Sequence, residues 1–205
     1  MEIIFFLIVL LFSVILHEIA HGSVALYLGD PTAKMAGRLT LNPIKHLDPV
    51  GSILLPLILI ITTGKGIGWA KPVPINPTNF RDQKWGELKV SLAGPLANIL
   101  LALIFGLILR FSSSFISPTL YQPFSLIVSL NLLLALFNLM PIPPLDGSHI
   151  LFTFLPPSMD NAKRFFIQFG SFVLLFLILF IPWFFYFLVY VVNLIFFLIV
   201  GSPSL

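Results

Sequence analysis

Five apolar runs, roughly residues 3 to 28, 51 to 63, 88 to 111, 124 to 146 and 165 to 200, occupy most of this chain. About 20 apolar residues at about 1.5 Å each span the hydrocarbon core of a bilayer, where only helices and closed barrels satisfy the backbone. Repeated long runs with short polar connections therefore imply an all-α polytopic membrane protein. Residues 1–205 are expected to form one integral membrane domain, with no room for a separate soluble one. Composition agrees: 58% of the residues are hydrophobic and 9% charged, where soluble domains carry about 25% charged residues.

The runs at 3–28, 88–111 and 124–146 are expected to form a three-helix core. Glu2 precedes the first run and no Lys or Arg does, so it reads as a retained transmembrane helix rather than a cleaved signal peptide. Gly29-Asp30-Pro31 closes it. Pro72, Pro74 and Pro77 remove donors and force extended φ, so short β elements are expected within 29–86, around 33 to 41 and 67 to 75. The last run would be about 54 Å long as one helix, well beyond a core of about 30 Å. Pro182-Trp183 at its middle suggests a hairpin of 165–181 and 183–200, with one kinked helix as the alternative.

The run 51–63 is short and carries Pro56, which suits a re-entrant or interfacial element rather than a full crossing. If it does not cross, ten of the eleven Lys and Arg residues share one face and only Arg110 lies opposite. The positive-inside rule then makes that face cytoplasmic, in a cell membrane. The same topology runs the first and the 124–146 helices in one direction, which brings residues near 17–21 and 146 to similar depth.

Two carboxylates stand out against the lipid. Glu18 lies inside an apolar helix and Asp146 ends another; a charge there costs at least about 2.5–3.5 kcal/mol and needs a partner. The chain has no cysteine, so a metal partner must be held by His, Asp or Glu. His17-Glu18-Ile19-Ala20-His21 places two imidazoles four residues apart on one helical face, about 40° from each other at about 100° per residue. Both can reach one Zn²⁺, and Glu18 beside the first can take a proton from water that the metal activates.

A catalytic zinc takes a third protein ligand. The candidates are Asp146, His149, His46 and Asp48. Asp146 is the strongest choice, because Pro141, Pro143 and Pro144 break the helix before it and Gly147 permits a sharp exit. His149 reads better as an interfacial histidine, and His46 with Asp48 as part of a capped turn. Two imidazoles and a carboxylate suit one Zn²⁺ per chain best among the divalent metals. Asn98, on the Gly94 face, suits helix packing or support of the site. Asn138 suits either a hydrogen bond to a developing oxyanion or satisfaction of backbone freed by the prolines.

Three elements in order, His17-Glu18-Ile19-Ala20-His21, Gly94-Pro95-Leu96-Ala97-Asn98 and Asn138-Leu139-Met140-Pro141-Ile142-Pro143-Pro144-Leu145-Asp146-Gly147, resemble the site-2 protease family of intramembrane metalloproteases. The resemblance spans residues 17 to 147. It implies His17, His21 and Asp146 as zinc ligands, Glu18 as base, Asn138 near the substrate carbonyl, and a site toward the cytoplasm. Gly29-Asp30-Pro31, Leu41-Asn42-Pro43 and Trp69-Ala70-Lys71-Pro72-Val73-Pro74 look like the compact prokaryotic members, which lack PDZ and CBS domains.

The expected reaction is hydrolysis of a peptide bond in a transmembrane protein substrate, regulated intramembrane proteolysis in biological terms. An extended segment around 67–76 would pair with the unwound substrate by strand addition. The alternative is a non-proteolytic metal-binding membrane protein such as a divalent-ion transporter. A net charge of +3 spread over loops fits contact with the lipid bilayer and excludes a nucleic-acid face. Nothing in the sequence sets an oligomeric state.

Overall fold

The apolar runs become helices that end where the local chemistry ends them. The computed structural model describes residues 2–48, 71–112 and 117–201. Helix α1 spans Glu2–Tyr27 and stops in a left-handed turn: Gly29 has φ +111°, Asp30 N–H donates to Ala25 O at 2.9 Å and Gly29 N–H to Leu26 O at 3.0 Å. Those two bonds satisfy carbonyls that the helix end would otherwise leave bare, and glycine reaches the required φ without steric cost. A four-residue helix, α2 (Thr32–Met35), follows.

Helices α3 (Gly86–Phe111), α4 (Pro118–Asn138), α5 (Asp146–Phe154), α6 (Asp160–Phe180) and α7 (Pro182–Val200) complete the order. Among the described residues, α1, α3, α4, α6 and α7 are long and apolar enough to cross a membrane. The chain is thus a multi-pass membrane protein, all-helical among the described residues. The C-terminal run divides at Ile181-Pro182, where Ile181 has φ −120° and ψ 82°. Its first helix begins at Asp160, ahead of the expected 165.

Helix α3 packs between α1 and α4. Ser13 and His17 of α1 meet Asn98 of α3, while His21 meets Val90, so these two helices run in opposite directions. Ser13 also meets Asn131 of α4, and Phe6 lines one cavity with Leu126, so α1 and α4 run the same way. Helix α7 closes the far end, where Val192, Phe196 and Val200 join Ala102, Leu109, Val128 and Leu132 in one buried cluster. Lipid is as apolar as a leucine side chain, so close packing and hydrogen bonds between helices must hold such a bundle, each bond contributing roughly 0.6–2 kcal/mol. Gly106 serves the packing: a Cβ there would lie 2.5 Å from Ile199 Cγ2.

The connection from α1 to α3 leaves and returns at one end of the bundle, because Arg81 N–H donates to Leu28 O at 2.7 Å. The apolar segment 51–63 lies outside the described residues, as does 67–70 of the second expected strand.

Three expectations change. No β element occurs among the described residues: 33–35 are helical, 36–41 turn, and 71–76 form neither helix nor strand. Donors within and just before the proline stretch go to separate acceptors, Lys71 N–H to His46 O, Val73 N–H to Glu18 and Asn76 N–H to Asp30. A strand needs successive donors facing one neighbour, and the prolines deny it that. The third core helix runs 118–138 rather than 124–146. Asp146 accordingly opens α5 instead of ending α4. The prolines at 141, 143 and 144 cannot continue a helix, whereas a carboxylate in a first turn is favoured by the helix dipole.

Candidate metal centre

His17 and His21 sit in the later half of α1, one turn apart, with 7% and 6% of their surfaces exposed. Their Nε2 atoms lie 3.0 Å from each other. Asp146 Oδ2 lies 3.2 Å from His17 Nε2 and 3.3 Å from His21 Nε2. Each imidazole turns its other nitrogen away from this meeting point, His17 Nδ1 to Asn98 Oδ1 and His21 Nδ1 to Val90 O, both at 2.7 Å.

These distances fit a cation. With the ring hydrogens on Nδ1, the two Nε2 atoms and the carboxylate oxygen all present lone pairs to one point, where they would repel without a positive charge between them. A tetrahedral zinc with bonds of about 2.0–2.1 Å holds its ligand atoms about 3.3–3.4 Å apart, close to the observed triangle. Asp146 Oδ2 is buried and makes no hydrogen bond, although polar atoms in such places are paired as a rule. His17, His21 and Asp146 could therefore hold a metal ion, and their ligand atoms all lie within 4.8 Å of one another.

The local sequence makes room for this. A Cβ on Gly94 would lie 2.3 Å from His21 Nε2 and 2.6 Å from His17 Nε2, so any side chain there would enter the site. A Cβ on Gly147 would meet Leu139 O at 2.1 Å, so glycine lets α5 start against the end of α4. Gly170 of α6 lies against Pro143 in the same way and braces the loop that carries Asp146.

Glu18 points into the same cleft, where its Oε2 accepts from Val73 N–H at 2.7 Å. The cleft has a volume of about 370 Å³, and Asn138, Glu87 and His149 also line it. Asn138 donates to Leu134 O at 2.9 Å in its own helix, which commits one of its two amide hydrogens. His149 stands apart from the triangle and pairs through Nδ1 with Glu87 Oε1 at 2.9 Å; that carboxylate pushes the His149 imidazole above its ordinary value.

His46 and Asp48 lie outside the triangle. His46 is fully buried, with Nε2 against Thr40 O at 2.8 Å, and it ends a turn capped by Asn42. Sequence reasoning missed Val73, Val90, Asn131 and Ser13 around the site. Of these only Val73 carries a local signal, as the one N–H donor between Pro72 and Pro74.

Comparison with known proteins gives the family of this chain. Residues 112–178 match the model of peptidase family M50. The chain is 46% identical over 162 residues to a Bacillus subtilis protein bearing the name zinc metalloprotease YwhC, covering 76% of this chain and 71% of that one. A Mycolicibacterium smegmatis protein bearing the name zinc metalloprotease Rip2 is 36% identical over 155 residues, 74% of this chain and 58% of that one. The Methanocaldococcus jannaschii zinc metalloprotease MJ0392 is 29% identical over 160 residues, 77% of this chain and 36% of that one. No solved structure matches. With five membrane-length apolar helices among the described residues and a buried pair of histidines beside a carboxylate, the chain belongs to peptidase family M50, the site-2 proteases, and is an intramembrane zinc metalloprotease.

Proposed function

We propose that this enzyme hydrolyses a peptide bond within a transmembrane segment of a membrane protein substrate, with His17, His21 and Asp146 as its zinc ligands and Glu18 as its general base. The reading rests above all on the triangle of His17 Nε2, His21 Nε2 and Asp146 Oδ2, with sides of 3.0, 3.2 and 3.3 Å, beside the Glu18 carboxylate.

Zinc bound there supplies Lewis acidity and a water made acidic enough to react near neutral pH. Every other part falls to the chain itself. Glu18, held by Val73 N–H, takes a proton from the attacking water and passes it to the departing amine as the C–N bond breaks, so that a carboxylic acid and a neutral amine form; the acid's remaining proton then moves to the amine, leaving a carboxylate and an ammonium group. Asn138 keeps one amide hydrogen for the oxyanion that develops on the scissile carbonyl.

The substrate must be locally unwound, since a helix conceals its own carbonyls. Pro72, Val73 and Ile75 line the cleft in a stretch that is neither helix nor strand, and its main chain is available to that unwound segment. Among the described residues, every Lys and Arg except Arg110 lies in or next to the connections at the end of the bundle that carries the site. That asymmetry supports a cytoplasmic site in a cell membrane and a role in regulated intramembrane proteolysis.

The test is cleavage of a model transmembrane substrate in liposomes by wild type and Glu18→Gln, with zinc measured in both. Cleavage lost and zinc retained in Glu18→Gln supports the assignment. Unchanged cleavage in that variant removes Glu18 from the reaction.

A further inference from the structure

Three amide and hydroxyl side chains lie fully or almost fully buried between α1, α3 and α4, beyond the ligands: Asn98 and Asn131 at 0% exposed and Ser13 at 4%. They form one chain of hydrogen bonds. Asn131 Nδ2 donates to Ile127 O at 2.9 Å and to Ser13 Oγ at 3.0 Å. Asn98 Nδ2 donates to Asn131 Oδ1 at 2.9 Å and to Ser13 O at 3.3 Å. Asn98 Oδ1 is then the atom that faces His17 Nδ1, at 2.7 Å.

The direction of this chain is fixed at its far end. A backbone carbonyl can only accept, so the Asn131 group facing Ile127 O must be the NH₂, and its carbonyl must face Asn98. Asn98 must donate to that carbonyl and to Ser13 O, which leaves its own oxygen for His17. An oxygen at His17 Nδ1 requires the ring hydrogen on Nδ1 and leaves Nε2 bare, the form that binds a metal. Reversing both amides would set oxygen against Ile127 O and Ser13 O, and would present an NH₂ to His17 Nδ1. The ring hydrogen would then move to Nε2 and block ligation. His21 needs no such chain, because its Nδ1 meets the carbonyl of Val90 directly.

We infer that Asn131, through Asn98, is a positioning residue that sets the tautomer of His17 and so its competence as a ligand. This rests on the proposed role of His17 in holding zinc. Asn131 touches neither the ligand triangle nor the cleft; its influence travels through Asn98. The relay gives the cluster a purpose beyond the interhelical packing that such bonds supply.

Zinc affinity of the purified full chain, measured by competition with a chromophoric chelator, tests it in wild type, His17→Ala, Asn98→Leu, Asn131→Leu and the double variant. Losing a partner of this kind costs about 10–100-fold in metal affinity. Asn98→Leu should lose that much and Asn131→Leu about tenfold, and the double variant should bind no more weakly than Asn98→Leu alone. Wild-type affinity in Asn131→Leu, or losses that multiply in the double variant, would overturn the relay. His17→Ala separates the two readings: zinc bound as tightly as in wild type removes His17 as a ligand, whereas zinc lost there but kept in Asn131→Leu removes only the relay.

Should Asn131→Leu fail to fold, the wild type still decides. In zinc-loaded protein labelled with ¹⁵N-histidine, the His17 Nδ1 resonance should carry a bonded hydrogen. A bare Nδ1 contradicts the inference.

Discussion

Val73 donates its backbone N–H to Glu18 Oε2 at 2.7 Å, across 55 positions of sequence. The donor sits between two prolines that have none to give, and its side chain is buried, 6% exposed. One peptide group thus holds the Glu18 carboxylate, while the flanking prolines exclude a helix there. Hydrogen bonds to charged groups contribute about 1.5–3 kcal/mol, which corresponds to roughly 10–100-fold in rate if the bond holds Glu18 in its working orientation. Val73→Pro removes the donor and should lower kcat by that factor. Val73→Ala keeps the N–H and should stay within a few-fold of wild type. Equal kcat in Val73→Pro and Val73→Ala would refute the role.

Gly94→Ala places a methyl group 2.3 Å from His21 Nε2 and 2.6 Å from His17 Nε2, inside any metal's coordination shell. The expected result is zinc content well below one per chain with helical content unchanged, read by metal analysis and circular dichroism. A full zinc complement in this variant would mean that α3 does not lie where the rings require.

Zinc should stabilise the fold through its ligands. A ligand at about a hundredfold its dissociation constant adds about 2.7 kcal/mol to the unfolding free energy. Chelation should remove that increment from wild type and produce no change in Asp146→Ala, as followed by thermal unfolding in detergent. Equal responses to chelator in the two proteins would place the stabilising metal elsewhere.

Asp30 makes the fold sensitive to acid. It is fully buried just beyond α1, and its carboxylate accepts from Thr32 N–H and Oγ1, Asn79 Nδ2 and Asn76 N–H. Burial pushes its pKa up, but the bonds from Asn76, Thr32 and Asn79 outweigh burial and set it below the ordinary 3.8. A carboxyl lowered on folding stabilises the protein above its unfolded pKa and loses that contribution as pH falls through the folded value. Wild type should therefore lose stability as pH drops below about 4. Asp30→Asn should start roughly 1.5–3 kcal/mol lower near neutral pH and show less of that slope. A wild-type unfolding midpoint that does not respond to this acid range would refute the assignment.

Much of this was legible in the chain itself. His17 and His21 share a face because α-helical geometry puts residues four apart side by side, and that holds before any tertiary contact forms. Glu18 and Asp146 stood out because carboxylates in lipid-length apolar runs require a reason. The expected strands failed for a physical cause: extended φ forced by Pro72, Pro74 and Pro77 is a local property, whereas a ladder needs a neighbouring chain with matching donors. The placement of Asp146 at the end of a helix failed similarly, because the proline run ended α4 at Asn138 and a new helix began at the carboxylate itself.

By itself the sequence determined which segments are apolar enough for a membrane, where helices must stop, and which side chains can ligate, since all three follow from composition and spacing along one chain. Tertiary structure alone decided that Asp146 meets both imidazoles at 3.2 and 3.3 Å, that Val73 holds Glu18, and that Asn131 lies behind Asn98. Those are distances between residues tens to more than a hundred positions apart, and they are fixed by how α1, α3, α4, α5 and the 71–76 connection pack, which no local pattern encodes.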